Sequence, residues 1–299
     1  MLTIGSRGSP LALWQANHVK AMLNDRGYES RIEVIRTTGD KMQTQSISAI
    51  GTKGLFTQEI EDALLEGRVD LAVHSLKDLT TELPDGLCLA ASPEREDARD
   101  AFVGSTLAAL KQGAAVGTSS VRRAAQLLAL RPDLKILPIR GNVDTRLRKL
   151  EAREFDAIVL AAAGLNRLGM ANRITELLPF DVMCPAPGQG ALGIETRQEG
   201  AGFEAAGTLN HLPTWTAITA ERAVLAALGG GCQLPAGAIA HVDGAHITLT
   251  ALVASPDGSE CVREFGEGEH ARQLGAEVGG RLLASGARRI LAEVYAHSR

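Results

Sequence analysis

Aromatic residues are scarce in this sequence: phenylalanine, tryptophan and tyrosine together make up 3% of its 299 residues. Proteins that bind single-stranded nucleic acid stack successive bases on aromatic side chains, and few such platforms are available here. The composition therefore argues against a nucleic-acid partner.

Long apolar runs are missing as well. The longest, residues 157–165, is far shorter than the roughly 20 residues that a transmembrane helix needs. Met1 leads directly into the strand-like segment Leu2–Ile4, without the basic and then apolar stretch of a secretory signal. We therefore expect a cytoplasmic protein without a membrane partner.

Cysteine occurs at only four positions, 88, 184, 232 and 261, and no two of them form a CxxC pair. This spacing indicates neither a disulfide framework nor a zinc site, and we expect no bound metal. Cys232 follows the glycines at 229–231, which let another molecule approach the main chain closely, so the pattern favours an exposed attachment point. The alternative stays open that the glycines only cap a helix over residues 214–228 and Cys232 packs as a small hydrophobe.

The formal net charge is −4, but the charge is unevenly distributed. The segment 118–149 contains eight basic residues and only two acidic ones. Arg122 and Arg123 fall in the first turn of a predicted helix, where positive charge opposes the helix dipole. A bound anion explains this placement better than helix stability does, so we predict a site for a compact polyanion and expect arginine replacements to leave the fold intact.

Polar residues follow several predicted strands at the point where each strand ends. Strand 2–5 leads to Arg7 and Ser9 before a helix over residues 10–25, and strand 70–76 delivers Lys77 and Asp78. Ligands of open α/β sheets bind outside the carboxyl ends of the strands. Lys77 and Asp78 are therefore open to two interpretations. They form a surface ion pair without a function, or Lys77 contacts an anion and Asp78 transfers a proton.

Two segments interrupt the alternation of strands and helices: the charged run 93–100 and the proline- and glycine-rich stretch 185–193. We interpret them as crossovers between domains. The prediction is an α/β protein with two lobes facing a central cleft and a small α/β domain with an antiparallel sheet. The predicted domains are residues 1–95 with 191–213, residues 96–190, and residues 214–299.

Seven segments, in order and with matching spacing, resemble the porphobilinogen deaminase family, also called hydroxymethylbilane synthases. They are Ser6–Gln15, Lys53–Phe56, His74–Asp78, Gly117–Arg123, Arg140–Val143, Pro187–Ala191 and Gly230–Gln233. The resemblance spans the full chain. It implies first and second domains like the lobes of type II periplasmic binding proteins, and a monomer.

The resemblance also implies the reaction. Four porphobilinogen molecules are condensed head to tail, with release of ammonia, to the linear tetrapyrrole hydroxymethylbilane. The chain grows on a dipyrromethane cofactor joined by a thioether to Cys232, and Asp78 is the catalytic carboxylate. The implied cofactor contacts are Ser9, Lys77, Ser120, Arg122, Arg123, Arg140 and Arg146; the implied substrate contacts are Arg7, Lys53, Arg140, Arg146 and Arg167. One departure from the family pattern is Ala49, where many members carry a lysine.

Two other classes of protein share some of these features. A non-enzymatic periplasmic-type anion-binding protein would share the lobes and arginines, but it would need a signal peptide and has no use for Cys232. A cysteine hydrolase would pair Cys232 with His211 or His241, and nothing in the sequence places either histidine nearby.

Overall fold

The computed structural model describes residues 1–37, 57–230 and 234–297. The strands are β1 Leu2–Ser6, β2 Ser30–Val34, β3 Leu71–Ser75, β4 Leu87–Ala91, β5 Asp100–Val103, β6 Ala115–Gly117, β7 Lys135–Leu137, β8 Ala157–Ala161, β9 Glu176–Leu177, β10 Leu192–Arg197, β11 Ala236–Asp243, β12 His246–Ala254 and β13 Cys261–Gly268. The α-helices are α1 Pro10–Asp25, α2 Gln58–Leu65, α3 Val121–Leu130, α4 Val143–Glu151, α5 Ala162–Arg167, α6 Ala201–Gly207, α7 Leu212–Ala227, α8 Ala271–Leu282 and α9 Arg288–His297. Leu76–Asp78 and Ala171–Arg173 are short 3₁₀ turns, and a π-helical segment, Leu283–Ala287, joins α8 to α9.

The chain divides into two compact units. The first is Met1–Glu96 with Ala191–Trp215, and the second is Asp97–Gly190 with Thr216–Arg299. The second unit contains two sheets. The predicted division into three domains therefore stays a prediction.

The first unit contains a five-stranded sheet in the order β2-β1-β3-β10-β4. Strands β1, β2 and β3 are parallel, and β10 runs antiparallel to both of its neighbours. Apolar clusters cover both faces, one with Val19 and Leu23 of α1 and the other with Ile60 and Leu64 of α2. All five residues of β1 and the first four of β3 are buried, as expected for strands of a sheet that is covered on both faces.

The second unit repeats this arrangement in a sheet of order β7-β6-β8-β5-β9. Strands β6, β7 and β8 are parallel, and β5 runs antiparallel to β8 and β9. The carboxyl ends of the three parallel strands therefore meet at one edge of the sheet. In each five-stranded sheet, the strand in fourth place begins within the last residues of a predicted crossover. Strand β10 begins at Leu192, in the segment 185–193, and β5 begins at Asp100, in the segment 93–100.

An antiparallel sheet of order β11-β12-β13 completes the second unit. One face packs on apolar residues of α7, α8 and α9, and the other shares a small cluster with Ala125 of α3. The turn between β12 and β13 touches α3 directly: a Cβ at Gly258 would lie 2.4 Å from the backbone nitrogen of Ala129. Only glycine fits this contact, and its φ of +74° is also one that glycine adopts freely.

The predicted α/β class is confirmed, and α1 has the predicted bounds. The sequence reading missed β5, β9, β11 and α6. Strand β5 was missed because its first residue, Asp100, closes a charged run that resembles a surface loop, although this carboxylate is fully buried.

Candidate active site

In the first unit, Lys77 and Asp78 lie on the 3₁₀ turn that follows β3. Leu76 and Leu79, on either side of them, are each 1% exposed and anchor the turn. The backbone nitrogen of Leu76 also donates to the carbonyl of Ala191, at 3.0 Å. This anchoring leaves Lys77 half-buried and Asp78 exposed. Among the described residues, no side chain or backbone group is hydrogen-bonded to the Asp78 carboxylate, so it is available to a ligand.

Arg7 and Ser9 follow β1, which lies beside β3 in the sheet. Parallel pairing of Gly5 with Ala72 places the carboxyl ends of the two strands at the same edge. Ser9 caps α1, because its hydroxyl accepts a hydrogen bond from the Ala12 nitrogen at 3.3 Å. The hydroxyl hydrogen of Ser9 remains a possible donor to a ligand. The fold thus brings four predicted site residues to one edge: Arg7, Ser9, Lys77 and Asp78.

In the second unit, Ser120 and Arg140 follow the neighbouring parallel strands β6 and β7. The Ser119 hydroxyl ties the two loops together, since it donates to the Ile139 carbonyl at 2.8 Å and accepts from the Ile139 nitrogen at 3.0 Å. Ser120 caps α3 by accepting from the Arg123 nitrogen at 3.4 Å. Arg140 is exposed. Both residues therefore lie at the edge where the carboxyl ends of the parallel strands meet.

Arg146 and Arg167 are held by backbone carbonyls in the same unit. Arg146, which is half-buried, donates through Nε to the Gly141 carbonyl at 2.8 Å. Arg167 is 8% exposed and donates through Nη2 to the Gly190 carbonyl at 2.7 Å. These contacts order both guanidinium groups, and they leave less of Arg167 accessible than its predicted role as a substrate contact implies.

Arg122 and Arg123 are buried against one carboxylate, that of Asp100. Arg122 Nη1 lies 2.8 Å from Asp100 Oδ2, and Arg123 Nη2 lies 2.7 Å from Oδ1. Burial alone would raise the pKa of Asp100, but the two guanidinium groups outweigh it and hold that pKa well below its usual range. The anion that explains two arginines in the first turn of α3 is therefore supplied, at least in part, by the chain itself.

This network corrects the expectation that replacing these arginines leaves the fold intact. Arg122 and Arg123 are only 4% and 6% exposed, and Asp100 is not exposed at all. Removing one partner of a buried ion pair leaves an uncompensated charge, which typically costs about 3–5 kcal/mol. A variant of Arg122 or Arg123 is therefore expected to lose stability as well as binding of an acidic ligand, so both have to be measured.

Two predicted site residues, Lys53 and Cys232, lie outside the described residues, as does the family departure at Ala49. The described cysteines differ in their surroundings. Cys184 is fully buried, and burial raises the pKa of its thiol to about 12. Cys261 is exposed as a residue, but partial burial of its thiol raises the pKa of that thiol as well. Because the thiolate is the nucleophile, these two thiols are poor attachment points.

Sequence reasoning missed a buried cluster of one histidine and two glutamates in the first unit. His74 Nε2 on β3 lies 2.9 Å from Glu195 Oε2 on β10. Glu61 of α2 interacts with both, and it is 8% exposed. Burial, with a smaller contribution from Glu195, raises the pKa of Glu61. The signals available in the sequence were His74, which lies in the segment His74–Asp78, and Glu195, a carboxylate that directly follows the apolar start of β10.

We expect Glu61→Gln to stabilise the protein at neutral pH but not near pH 4. The folded-state pKa of Glu61 is raised, so its stabilising contribution is fully present below the unfolded pKa and is lost as the pH rises through the folded pKa. Glutamine imitates the protonated carboxyl group and does not titrate. The gain in unfolding free energy at pH 7.5, from urea titrations, should be on the order of 1 kcal/mol.

Glu29→Gln is the matched control, because Glu29 is an exposed glutamate of the same unit that lies outside the helices, just before β2. It should shift the urea midpoint equally at both pH values. A Glu61→Gln variant whose midpoint relative to wild type does not change between pH 4 and pH 7.5 would show that burial leaves Glu61 unperturbed.

No helix among the described residues has the length and apolarity to cross a membrane. Within residues 1–37, 57–230 and 234–297, no group of three or more histidine, cysteine or acidic side chains is arranged to hold a metal ion.

Two family models match the chain. Residues 2–205 match the model described as "Porphobilinogen deaminase, dipyromethane cofactor binding domain", and residues 215–284 match "Porphobilinogen deaminase, C-terminal domain". The chain belongs to the porphobilinogen deaminase family. The resemblance inferred from seven segments of the sequence is thereby confirmed.

Curated relatives agree over nearly the whole length. The chain is 50% identical over 301 residues to the porphobilinogen deaminase of Trichlorobacter lovleyi, covering 98% of this chain and 96% of that one. It is 50% identical over 301 residues to the porphobilinogen deaminase of Geobacter sulfurreducens, covering 98% and 95%. The relative from Syntrophobacter fumaroxidans is 50% identical over 303 residues, covering 99% and 98%. These relatives favour the enzyme over the anion-binding protein and the cysteine hydrolase.

Solved structures show a weaker likeness. An ABC transporter periplasmic substrate-binding protein from Coxiella burnetii aligns with a TM-score of 0.45 and 14% identity, over 72% of this chain and 93% of that one. The methionine binding protein MetQ aligns with a TM-score of 0.45 and 13% identity, over 70% and 89%. A likeness of this strength says nothing about what the chain binds.

Proposed function

We propose that this protein is a hydroxymethylbilane synthase. It joins four porphobilinogen molecules head to tail and releases one ammonia for each. Water then cleaves the bond between the tetrapyrrole and the cofactor, which supplies the hydroxyl group of hydroxymethylbilane and leaves the cofactor on the protein. The observation that carries the proposal is the match of both family models over residues 2–205 and 215–284. The exposed Asp78 carboxylate, presented beside Arg7, Ser9 and Lys77 at one sheet edge, supports it from the geometry.

Asp78 is the catalytic acid and base in this proposal. In each cycle, the C–N bond of the aminomethyl group of porphobilinogen breaks, the amino group leaves as ammonia, and the methylene carbon that remains bonds to the free α-carbon of the terminal ring. That α-carbon then loses its proton. A carboxylate can accept the proton and return it to the next leaving amine, so each cycle balances, and its negative charge stabilises the cationic pyrrole between the two steps.

The residues of the second unit fit a dipyrromethane, which is a polycarboxylate. Two buried arginines, Arg122 and Arg123, lie in the first turn of α3. The Nε of Arg122 is buried and has no hydrogen-bond partner among the described residues, so it is a donor that an acidic ligand could satisfy. Bound dipyrromethane supplies the free α-carbon to which the first substrate is joined. We assign its attachment to Cys232 and its acidic groups to Ser9, Lys77, Ser120, Arg122, Arg123, Arg140 and Arg146.

We assign the carboxylates of incoming porphobilinogen to Arg7, Lys53, Arg140, Arg146 and Arg167. Arginine suits this task because its planar fork pairs bidentately with a carboxylate. Arg140 is the exposed member of this set in the second unit, and Arg7 is half-buried at the edge that carries Asp78. We place the enzyme in the cytoplasm as a monomer, which the family resemblance implies.

Incubation of the purified protein with porphobilinogen tests the reaction directly. We expect four ammonia molecules to be released for each hydroxymethylbilane formed, measured by an enzyme-coupled ammonia assay and by chromatography of the tetrapyrrole. Porphobilinogen that stays unchanged would refute the proposed function. Ammonia release without the tetrapyrrole would indicate a different reaction on the same substrate.

A further inference from the structure

Asp100 and Gln189 have no role in the function proposed above, yet both contact the arginines assigned to the cofactor. The Asp100 carboxylate accepts hydrogen bonds from Arg122 Nη1 at 2.8 Å, from Arg123 Nε at 3.0 Å and from Arg123 Nη2 at 2.7 Å. Gln189 Nε2 donates to the same carboxylate at 2.9 Å. A second bond from Gln189 Nε2, to the Ala98 carbonyl at 2.8 Å, fixes the amide.

We infer that Asp100 is a positioning residue that orients Arg122 and Arg123 toward an acidic group of the cofactor, and that Gln189 holds Asp100 in place. This inference rests on the proposed function and deepens it. Neither residue touches the reacting atoms, so both act through the arginines.

The physical reason is pre-organisation. A free arginine side chain has about 2 kcal/mol of rotamer entropy, which a ligand must overcome when it orders the side chain. Asp100 orders both arginines before any ligand binds. Two backbone carbonyls restrict them further: Arg122 Nη1 donates to the Cys184 carbonyl at 2.7 Å, and Arg123 Nη1 donates to the Val159 carbonyl at 3.1 Å. Groups fixed in this way bind an anion at a lower entropic cost.

One N–H group of Arg122 is not used by the contacts with Asp100 and Cys184. Asp100 and the Cys184 carbonyl share Nη1 of Arg122, while its Nε is buried and has no hydrogen-bond partner in the described part of the chain. Unpaired buried donors are rare in proteins. A carboxylate that reached this nitrogen would complete the hydrogen bonding of Arg122.

The competing explanation is purely structural: Asp100 would neutralise two buried arginines and do nothing for the cofactor. The two explanations differ in one measurable quantity, the fraction of folded protein that carries the covalent cofactor. A structural role lowers the melting temperature alone. A positioning role also lowers the cofactor content of the molecules that do fold.

The experiment compares variants of the full chain by intact mass after isolation of the folded fraction. In Asp100→Asn, we expect the adduct-bearing fraction to fall by about tenfold or more, since a change of 1.4 kcal/mol already gives a factor of ten. Gln189→Met, which keeps the charge of Asp100 but removes both amide hydrogen bonds, should lose less, roughly two- to fivefold. If Asp100→Asn does not fold, Gln189→Met decides the question.

Two controls separate stability from positioning. Leu127→Ala empties a fully buried position on α3 and should lower the melting temperature while the adduct stays at the wild-type level. Asp133→Asn breaks a surface pair of the same chemistry, in which Arg131 Nε lies 2.7 Å from Asp133 Oδ1, and should keep the adduct as well. Two results would overturn the inference. One is that Leu127→Ala loses as much adduct as Asp100→Asn, and the other is that Asp100→Asn and Gln189→Met both keep the full adduct.

The same comparison distinguishes this inference from the proposed function. Wild-type protein that carries no adduct and leaves porphobilinogen unchanged would refute the function itself. If wild-type protein carries the adduct and the Asp100→Asn and Gln189→Met variants carry as much of it, only the role of Asp100 and Gln189 is refuted.

Discussion

Cys232→Ser should yield folded protein that carries no covalent cofactor and has no measurable activity. The purified wild-type protein should be heavier than its sequence by one dipyrromethane, and intact-mass spectrometry should show this addition disappear in the variant. The reason is nucleophilicity, because a serine hydroxyl is far less ionised than a thiol at neutral pH and cannot replace it as the attachment point. This is the largest effect expected of any single substitution in the chain.

Cys261→Ser is the matched control, because Cys261 is exposed at the start of β13. It should retain the full adduct and full activity. Cys184→Ala should also keep the adduct, at a stability cost, since Cys184 fills a buried cluster with Ile239 and Leu252. Wild-type protein that is fully active without added mass would refute the assignment of the cofactor to Cys232.

Asp78→Asn should keep the fold and most of the cofactor and lose nearly all turnover, by roughly 10²- to 10⁴-fold. The Asp78 carboxylate is exposed and, among the described residues, makes no hydrogen bond, so the amide should not disturb packing. Asparagine can still accept a hydrogen bond from a pyrrole N–H, but it has neither the negative charge to stabilise a cation nor a proton to exchange. Asp78→Glu keeps both and misplaces them by one methylene, so it should retain a measurable fraction.

The measurement is single-turnover ammonia release at matched cofactor occupancy. Asp85→Asn is the control, because Asp85 is an exposed aspartate of the same unit, and it should react at the wild-type rate. If Asp78→Asn releases ammonia as fast as Asp78→Glu, or faster, then Asp78 only positions the substrate. Another group would then be the catalytic acid and base.

The local elements were predictable from the sequence because their signals are short-range. Pro10 and the Ser9 cap define the start of α1, and short segments containing Ile4 and Leu71–Val73 indicate buried strands at β1 and β3. The predicted edge that carries Arg7, Ser9, Lys77 and Asp78 then follows from the parallel pairing of those two strands. For this part of the candidate site, local pattern and a general rule of α/β sheets were sufficient.

The sequence by itself determined the family, the α/β class and the residue types available to a polycarboxylate ligand, because motif order and strand-to-helix junctions are recorded locally in the chain. Only the tertiary structure decided which charges meet. Asp100 lies 22 and 23 residues from Arg122 and Arg123, and it reaches them because β5 inserts antiparallel beside β8. His74 meets Glu195 because β10 pairs with β3 after an excursion of more than a hundred residues. Sheet order sets these partners, and sheet order follows from how separate elements bury their apolar faces together, which no local pattern of residues records.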